Sequence, residues 1–74
     1  MAPPLDKPDK DKYLVFPYES RNAAQNSETD RAIKDLFGAE NVYVLGSLDS
    51  GVTFWSAFMT LRQQGIVKNL PGVC

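Results

Sequence analysis

Hydrophobic residues fall into separate blocks along the chain, and the spacing within each block predicts its secondary structure. Residues 13–18 are β-branched and aromatic and include a proline, which predicts a first strand and not a helix interior. Residues 22–37 carry an apolar stripe at helical spacing. Asn22, with a glutamine three residues on, is a candidate N-cap, and Ser27 is a second one. Gly38 is placed to end this helix.

The next block predicts two strands around the turn sequence SLDSG. In the first strand, Val42 and Val44 alternate with Tyr43 and Leu45, so both faces are apolar. Strict alternation divides the second strand into two faces, Val52, Phe54 and Phe58 on one and Thr53, Trp55 and Ala57 on the other.

A second helix is predicted to begin at Thr60, which forms a T-x-x-Q capping box with Gln63. Val67 and Leu70 are its core-facing positions, and a Pro-Gly pair ends it. The order of elements is strand, helix, strand, strand, helix. It predicts an α+β fold of the ferredoxin-like (split βαβ) type, an antiparallel sheet with two helices on one face. Only Val73 and Cys74 follow the turn, so we expect the fourth strand to be short or missing.

The chain divides near residue 12. Residues 1–12 hold three prolines and six charged residues with a single large apolar one, and we expect them to form a disordered arm. Residues 13–74 are expected to form one small domain.

Composition excludes several classes of function. The net charge of −1 is dispersed, which argues against nucleic acid as a partner, and no apolar run approaches the roughly 20 residues that span a bilayer. There is no histidine and one cysteine, so we expect no zinc site and no intrachain disulfide. There is no glycine-rich phosphate loop, and we expect no cofactor. Glu28, Asp30 and Asp35 are expected on the solvated side of the first helix, and no set of residues suggests an enzyme.

The predicted sheet has one face without helices, and that face should be polar if water covers it. The strands instead place large apolar residues on both faces. One interpretation is that an aromatic ring lies flat over a strand and shields it. The other is that the open face docks a partner through Thr53, Trp55 and Ala57, because exposed apolar patches mark interaction sites. Homodimerisation through this face would leave the same pattern.

The ordered motifs resemble the subtilisin-type propeptide family, which includes free-standing fungal inhibitors of subtilisin-like serine proteases. The similar segments are DKYLVFP, GVTFWSAFMT and LPGV, in that order and spacing. The matching positions are Tyr13, Leu14, Val15, residues 51–57, Thr60, Gln63, Val67, Leu70, Pro71, Gly72 and Val73. Gln64 departs from the pattern, because the family usually has an apolar residue there.

The resemblance implies an inhibitor or intramolecular chaperone whose open sheet face packs on two surface helices of a subtilisin-like protease. It also implies that an acidic residue in the loop between the middle strands, here Asp49, caps the N-termini of those helices. The segment that begins at Val73 and Cys74 would lead into the protease cleft. Such a protein would be secreted or vacuolar. The alternative from the same residues is a non-inhibitory interaction module that binds another partner or itself.

Overall fold

The computed structural model describes residues 10–74. The elements in this range are β1 (Asp11–Val15), α1 (Ala23–Phe37), a 3₁₀ turn (Ala39–Asn41), β2 (Tyr43–Ser47), β3 (Gly51–Met59) and α2 (Leu61–Lys68). The predicted order of strands and helices is confirmed. Most of the predicted arm falls outside the described residues. Asp11 and Lys12, which the prediction placed in the arm, are the first two residues of β1.

The three strands form one antiparallel sheet in the order β1-β3-β2, which confirms the α+β class. β3 is the central strand and the longest, with nine residues. Its C-terminal half pairs with β1, where Tyr13 lies opposite Ala57 and Val15 opposite Trp55. Its other edge pairs with β2, where Val44 also lies opposite Trp55. Because directly paired residues point to the same side, these five residues define one face of the sheet.

Both helices contribute to a core on this face of the sheet. Ile33 from α1 and Val67 from α2 are fully buried there, as is Trp55 at the centre of the sheet. The buried hydrophobic residues of the core are Val15, Ile33, Val52, Trp55, Ala57, Met59 and Val67. Because both helices lie on this face, no helix among the described residues covers the other face of the sheet.

The helix ends follow the local signals in the sequence. Asn22 is the N-cap of α1, and its side-chain oxygen accepts a hydrogen bond from the Gln25 backbone N–H at 3.1 Å, so the Ser27 alternative is not used. Gly38 ends the helix with φ at +88°, a conformation that glycine adopts without steric cost. Thr60 and Gln63 make both hydrogen bonds of the capping box at the start of α2.

A β-bulge interrupts the pairing of β2 with β3 and separates Val52 from the face predicted for it with Phe54 and Phe58. Leu45 pairs with Phe54 and Gly46 pairs with Val52, so Thr53 is an extra residue on β3. Before the extra residue the even-numbered position Val52 faces the core, and after it the odd-numbered positions do. Val52 and Trp55 therefore both face the core, although they are three positions apart.

Residues after α2 return along the outer edge of β1. Val73 forms an antiparallel bridge with Pro17, and the Cys74 backbone N–H donates to the Phe16 carbonyl oxygen at 2.9 Å. Gly72 is buried against α1, where an added Cβ would overlap the hydroxyl oxygen of Thr29. In the described residues the expected fourth strand is therefore one bridge long.

Candidate functional site

The sheet face opposite the helices, which we call the open face, is the main candidate site. Register places its side chains in three rows across the strands. The rows are Lys12 and Phe58, then Leu14, Ser56 and Tyr43, then Phe16, Phe54 and Leu45. Phe16 lies just beyond β1, and its ring meets that of Phe54 edge to face with centroids 6.1 Å apart. The face is therefore built mainly from aromatic and aliphatic side chains.

Large apolar side chains on this face are exposed to solvent. Phe58 is 62% exposed and Tyr43 is 58% exposed, although both stand on strands of the sheet. Phe16, Leu14 and Leu45 are also exposed. Exposed apolar residues are common singly, whereas a contiguous group is typical of an interaction surface. Tyrosine and phenylalanine are also enriched in the centres of protein interfaces.

A shallow depression of about 360 Å³ lies on the open face between the rings of Tyr43 and Phe58. Ser56 lies at its base, and Lys12 and Asn41 stand at its rim. The small serine is 5% exposed because larger side chains surround it. The depression has the shape and the apolar walls to receive one side chain of a partner, which is how anchor residues dock in interfaces.

Charges lie at the two ends of the open face. Lys12 belongs to the row of Phe58, and Lys10 lines a neighbouring cavity with Phe58 and Asn41. Asp49 is at the opposite end, exposed in the turn between β2 and β3, where its backbone N–H donates to the Ser47 hydroxyl at 3.2 Å. Seven residues of β3 separate the turn from Phe58, a span of roughly 23 Å. Arg21 lies beside Gly51 at the same end as Asp49, so the turn end carries charges of both signs.

Two residues predicted on the open face lie in the core instead. Trp55 is fully buried and Ala57 is 5% exposed, both on the side of the sheet that the helices cover. The prediction was wrong because it assigned this side of the strand to the open face, whereas the helices cover it. Neither side chain has a surface to present to a partner.

The remaining predicted residues lie outside the three rows. Thr53 is exposed at the bulge, and Asp49 lies in the turn as the sequence predicted. Val73 packs against the core from the outer edge of β1, and Cys74 beside it is an exposed free thiol. The structure thus brings Val73 and Cys74 together at an edge of the sheet and not on its open face.

Sequence reasoning missed most of the residues that form the open face. It placed Phe54 and Phe58 on the face opposite its candidate site, and it gave Lys12 to the arm. A usable signal is present in residues 54–58, where Ser56 is the polar position between two apolar neighbours. Assigning that serine to the solvent side would have brought Phe54 and Phe58 with it.

Asp30 was predicted to be solvated, but its side chain is buried and helps to hold the fold together. It is buried on α1, where one carboxylate oxygen accepts a hydrogen bond from the Trp55 indole N–H at 3.0 Å. Its other oxygen lies 3.0 Å from the ammonium nitrogen of Lys34.

Within residues 10–74, no group of carboxylate or thiol side chains is arranged to hold a metal ion. None of the helices in this range is both long and apolar enough to cross a membrane.

Comparison with protein-family models, curated protein sequences and solved structures gives no significant match.

Proposed function

We propose that the protein is a propeptide-like inhibitor or intramolecular chaperone of a subtilisin-like serine protease, and that it binds through its open face. The observation that carries the proposal is the contiguous row of exposed apolar side chains on a sheet face that no described helix covers. A surface of this kind gains free energy when a partner removes it from water.

The strand order supports the finer assignment to a ferredoxin-like fold. β3 lies between β1 and β2, which are joined by α1, and the bridge at Val73 lies on the free side of β1. A fourth strand at that position would give the order expected of the split βαβ arrangement. The resemblance to the subtilisin-type propeptide family implies this fold and binding through the corresponding face.

The proposed mechanism needs no catalytic residue. The open face packs on two surface helices of the protease, and Asp49 at the end of the face accepts hydrogen bonds at a helix N-terminus. Val73 and Cys74 pair with Pro17 and Phe16, just beyond the end of β1. A segment that continues from there can add as a strand to the substrate-binding edge of a protease cleft.

Inhibition of subtilisin by this chain, and by a chain extended past Val73, tests the proposal. We expect the inhibition constant of the more potent chain to rise at least about tenfold in Phe58→Ser, because exposed aromatic residues that anchor an interface carry much of its binding energy. Leu61→Ser is the matched control, since Leu61 is 82% exposed but lies on α2, away from the open face. No inhibition by either chain would contradict the proposal.

A non-inhibitory interaction module on the same scaffold is the second candidate function. It is favoured by the depression between Tyr43 and Phe58, which can accept a single side chain from partners other than proteases. The two candidates differ in the inhibition assay. A chain that binds a partner with loss of affinity in Phe58→Ser, but inhibits no subtilisin-like protease, is an interaction module.

A further inference from the structure

The outer edge of β1, which faces away from β3, is paired only beyond the end of the strand. There Val73 forms its antiparallel bridge with Pro17, and the Cys74 backbone N–H donates to the Phe16 carbonyl oxygen at 2.9 Å. No strand of residues 10–74 continues this pairing along β1 itself. The last residues of the chain therefore begin a ladder that the described part of the molecule does not complete.

The backbone of β1 presents hydrogen-bonding groups along this edge. The N–H and C=O groups of alternate residues in a strand point to the same edge. Because the Phe16 carbonyl points outward, so do the backbone groups of Leu14 and Lys12, whereas those of Tyr13 and Val15 point toward β3. Within residues 10–74, no backbone group pairs with Leu14 or Lys12 on the outer side. An edge of this kind is a template for an added strand.

The outer edge of β2 is less suited to receive a strand. Gly46 lies there with φ at +107°, and the register between β2 and β3 shifts beside it. A regular ladder along β2 would be interrupted at this point. β1 pairs with β3 in unbroken register over all five of its residues, so its backbone has the regular spacing that an added strand requires.

We propose that an extended segment of a partner protein adds to the outer edge of β1 as an antiparallel strand, in line with Val73 and Cys74. The bridge at Val73 fixes the direction and the register of this strand, whose first four residues lie opposite residues 15, 14, 13 and 12 in turn. Its second and fourth residues, opposite Leu14 and Lys12, form the backbone hydrogen bonds to β1.

The two sides of the sheet determine which side chains the added strand carries. Its first and third residues, opposite Val15 and Tyr13, point to the helix side, where a groove of about 330 Å³ is lined by both of these residues and by Val67 of α2. Its second residue joins the exposed Leu14 on the open face. Its fourth lies opposite Lys12, which forms no ion pair with another described residue. The partner segment is therefore apolar at three positions and acidic at the fourth, because opposite charges across a strand pair stabilise it.

Strand addition goes beyond the proposed function and uses a different part of the sheet. Inhibition of a protease depends on the open face and is lost in Phe58→Ser. Strand addition depends on the backbone of β1 and is measured with a peptide, in the absence of a protease. Failure of one proposal is therefore distinguishable from failure of the other.

Titration of the full chain with the acetylated and amidated peptide Val-Leu-Tyr-Glu-Lys, followed by NMR, tests the proposal. In the antiparallel register its last residue lies opposite Asp11. We expect saturable binding with a dissociation constant of about 1 mM or lower, and slower amide hydrogen exchange at Lys12 and Leu14. Binding along β2, or no saturable change up to about 10 mM peptide, would overturn the proposal. Slow exchange at Lys12 and Leu14 in the free chain would also overturn it, because the edge would then already be covered.

N-methylation of the peptide separates backbone pairing from general apolar contact. Methyl groups on the second and fourth nitrogen atoms remove the N–H groups that face β1, and should weaken binding at least about tenfold. Methyl groups on the first and third nitrogen atoms lie on the side away from β1, and should change the affinity by less than about twofold. Equal effects of the two modifications would overturn the proposal.

A charge exchange tests the register. Lys12→Glu should weaken binding several-fold, and a peptide with lysine in place of its glutamate should restore the affinity for this variant. Arg31→Glu is the matched control, since it changes the net charge equally at an exposed position on α1. A peptide with lysine that binds Lys12→Glu no better than the original peptide does would overturn the register.

Discussion

Trp55 and Asp30 show how one polar contact is built into a small core. The indole ring is fully buried, and its N–H group needs an acceptor once it has left water. Asp30 supplies that acceptor from α1 at 3.0 Å, and Lys34 lies 3.0 Å from the other carboxylate oxygen. Because the carboxylate has two partners, its burial is compensated. The contact fixes α1 against the centre of β3.

Replacing Asp30 by alanine should lower the free energy of unfolding by about 1–3 kcal/mol, because the buried Trp55 N–H loses its acceptor. Asp30→Asn keeps an oxygen acceptor and should cost less. Lys34→Ala is the control, since it removes only a partly exposed ion pair and should cost less than about 1 kcal/mol. Urea denaturation measures all three. Equal losses in Asp30→Ala and Lys34→Ala would contradict the role assigned to the indole hydrogen bond.

Gly72 allows the segment after α2 to pass close to α1. A Cβ at this position would overlap the hydroxyl oxygen of Thr29, which donates to the Gln25 carbonyl oxygen at 2.9 Å. Gly72→Ala should therefore lower the free energy of unfolding by about 1–3 kcal/mol. Thr29→Ala in the same chain should restore part of the loss by making room.

Gly65 provides the matched control for Gly72. It lies in α2 with no atom within 4 Å of an added Cβ. Gly65→Ala should raise the free energy of unfolding by up to about 1 kcal/mol, since alanine favours the helix. Changes of the same sign in Gly65→Ala and Gly72→Ala would show that close packing at Gly72 is not what selects glycine there.

At the scale of elements, the sequence predicts what local signals determine. The caps at Asn22 and Thr60 depend on residues three positions apart, so they are visible in the sequence and are confirmed. The bulge depends on how β2 pairs with β3, which no single strand reveals. An exposed apolar face could therefore be predicted as such, whereas Ser56 was the one local signal in β3 for which residues form it. The extra residue at Thr53 puts Val52 on the face of Trp55, and packing of the helices decides that this face is the core.

Few contacts hold α2 to the domain. Its N-cap should therefore supply a large share of the free energy that keeps this helix folded. Val67 is its one fully buried residue, and the helix is eight residues long. Thr60→Ala removes the side chain that accepts the Gln63 N–H at 3.2 Å, and should cost about 1 kcal/mol. Amide hydrogen exchange measured by NMR should then accelerate in α2 more than in α1.

The cap of α1 is the control for this prediction. Asn22→Ala should cost a similar free energy, because its side chain also accepts one backbone N–H. Apart from the effect of the lower global stability, Asn22→Ala should leave amide hydrogen exchange in α2 at its wild-type rate. Equal acceleration in both helices after Thr60→Ala would mean that α2 opens only when the whole domain unfolds.

For the whole molecule, the small core limits stability. Seven buried hydrophobic residues hold the two helices on the sheet, and a chain with one cysteine gains nothing from an intrachain disulfide. We expect the monomer to unfold below about 65 °C, within the range of mesophile domains or under it. Calorimetry at low protein concentration and in reductant measures this temperature. A cooperative transition above it would contradict the prediction.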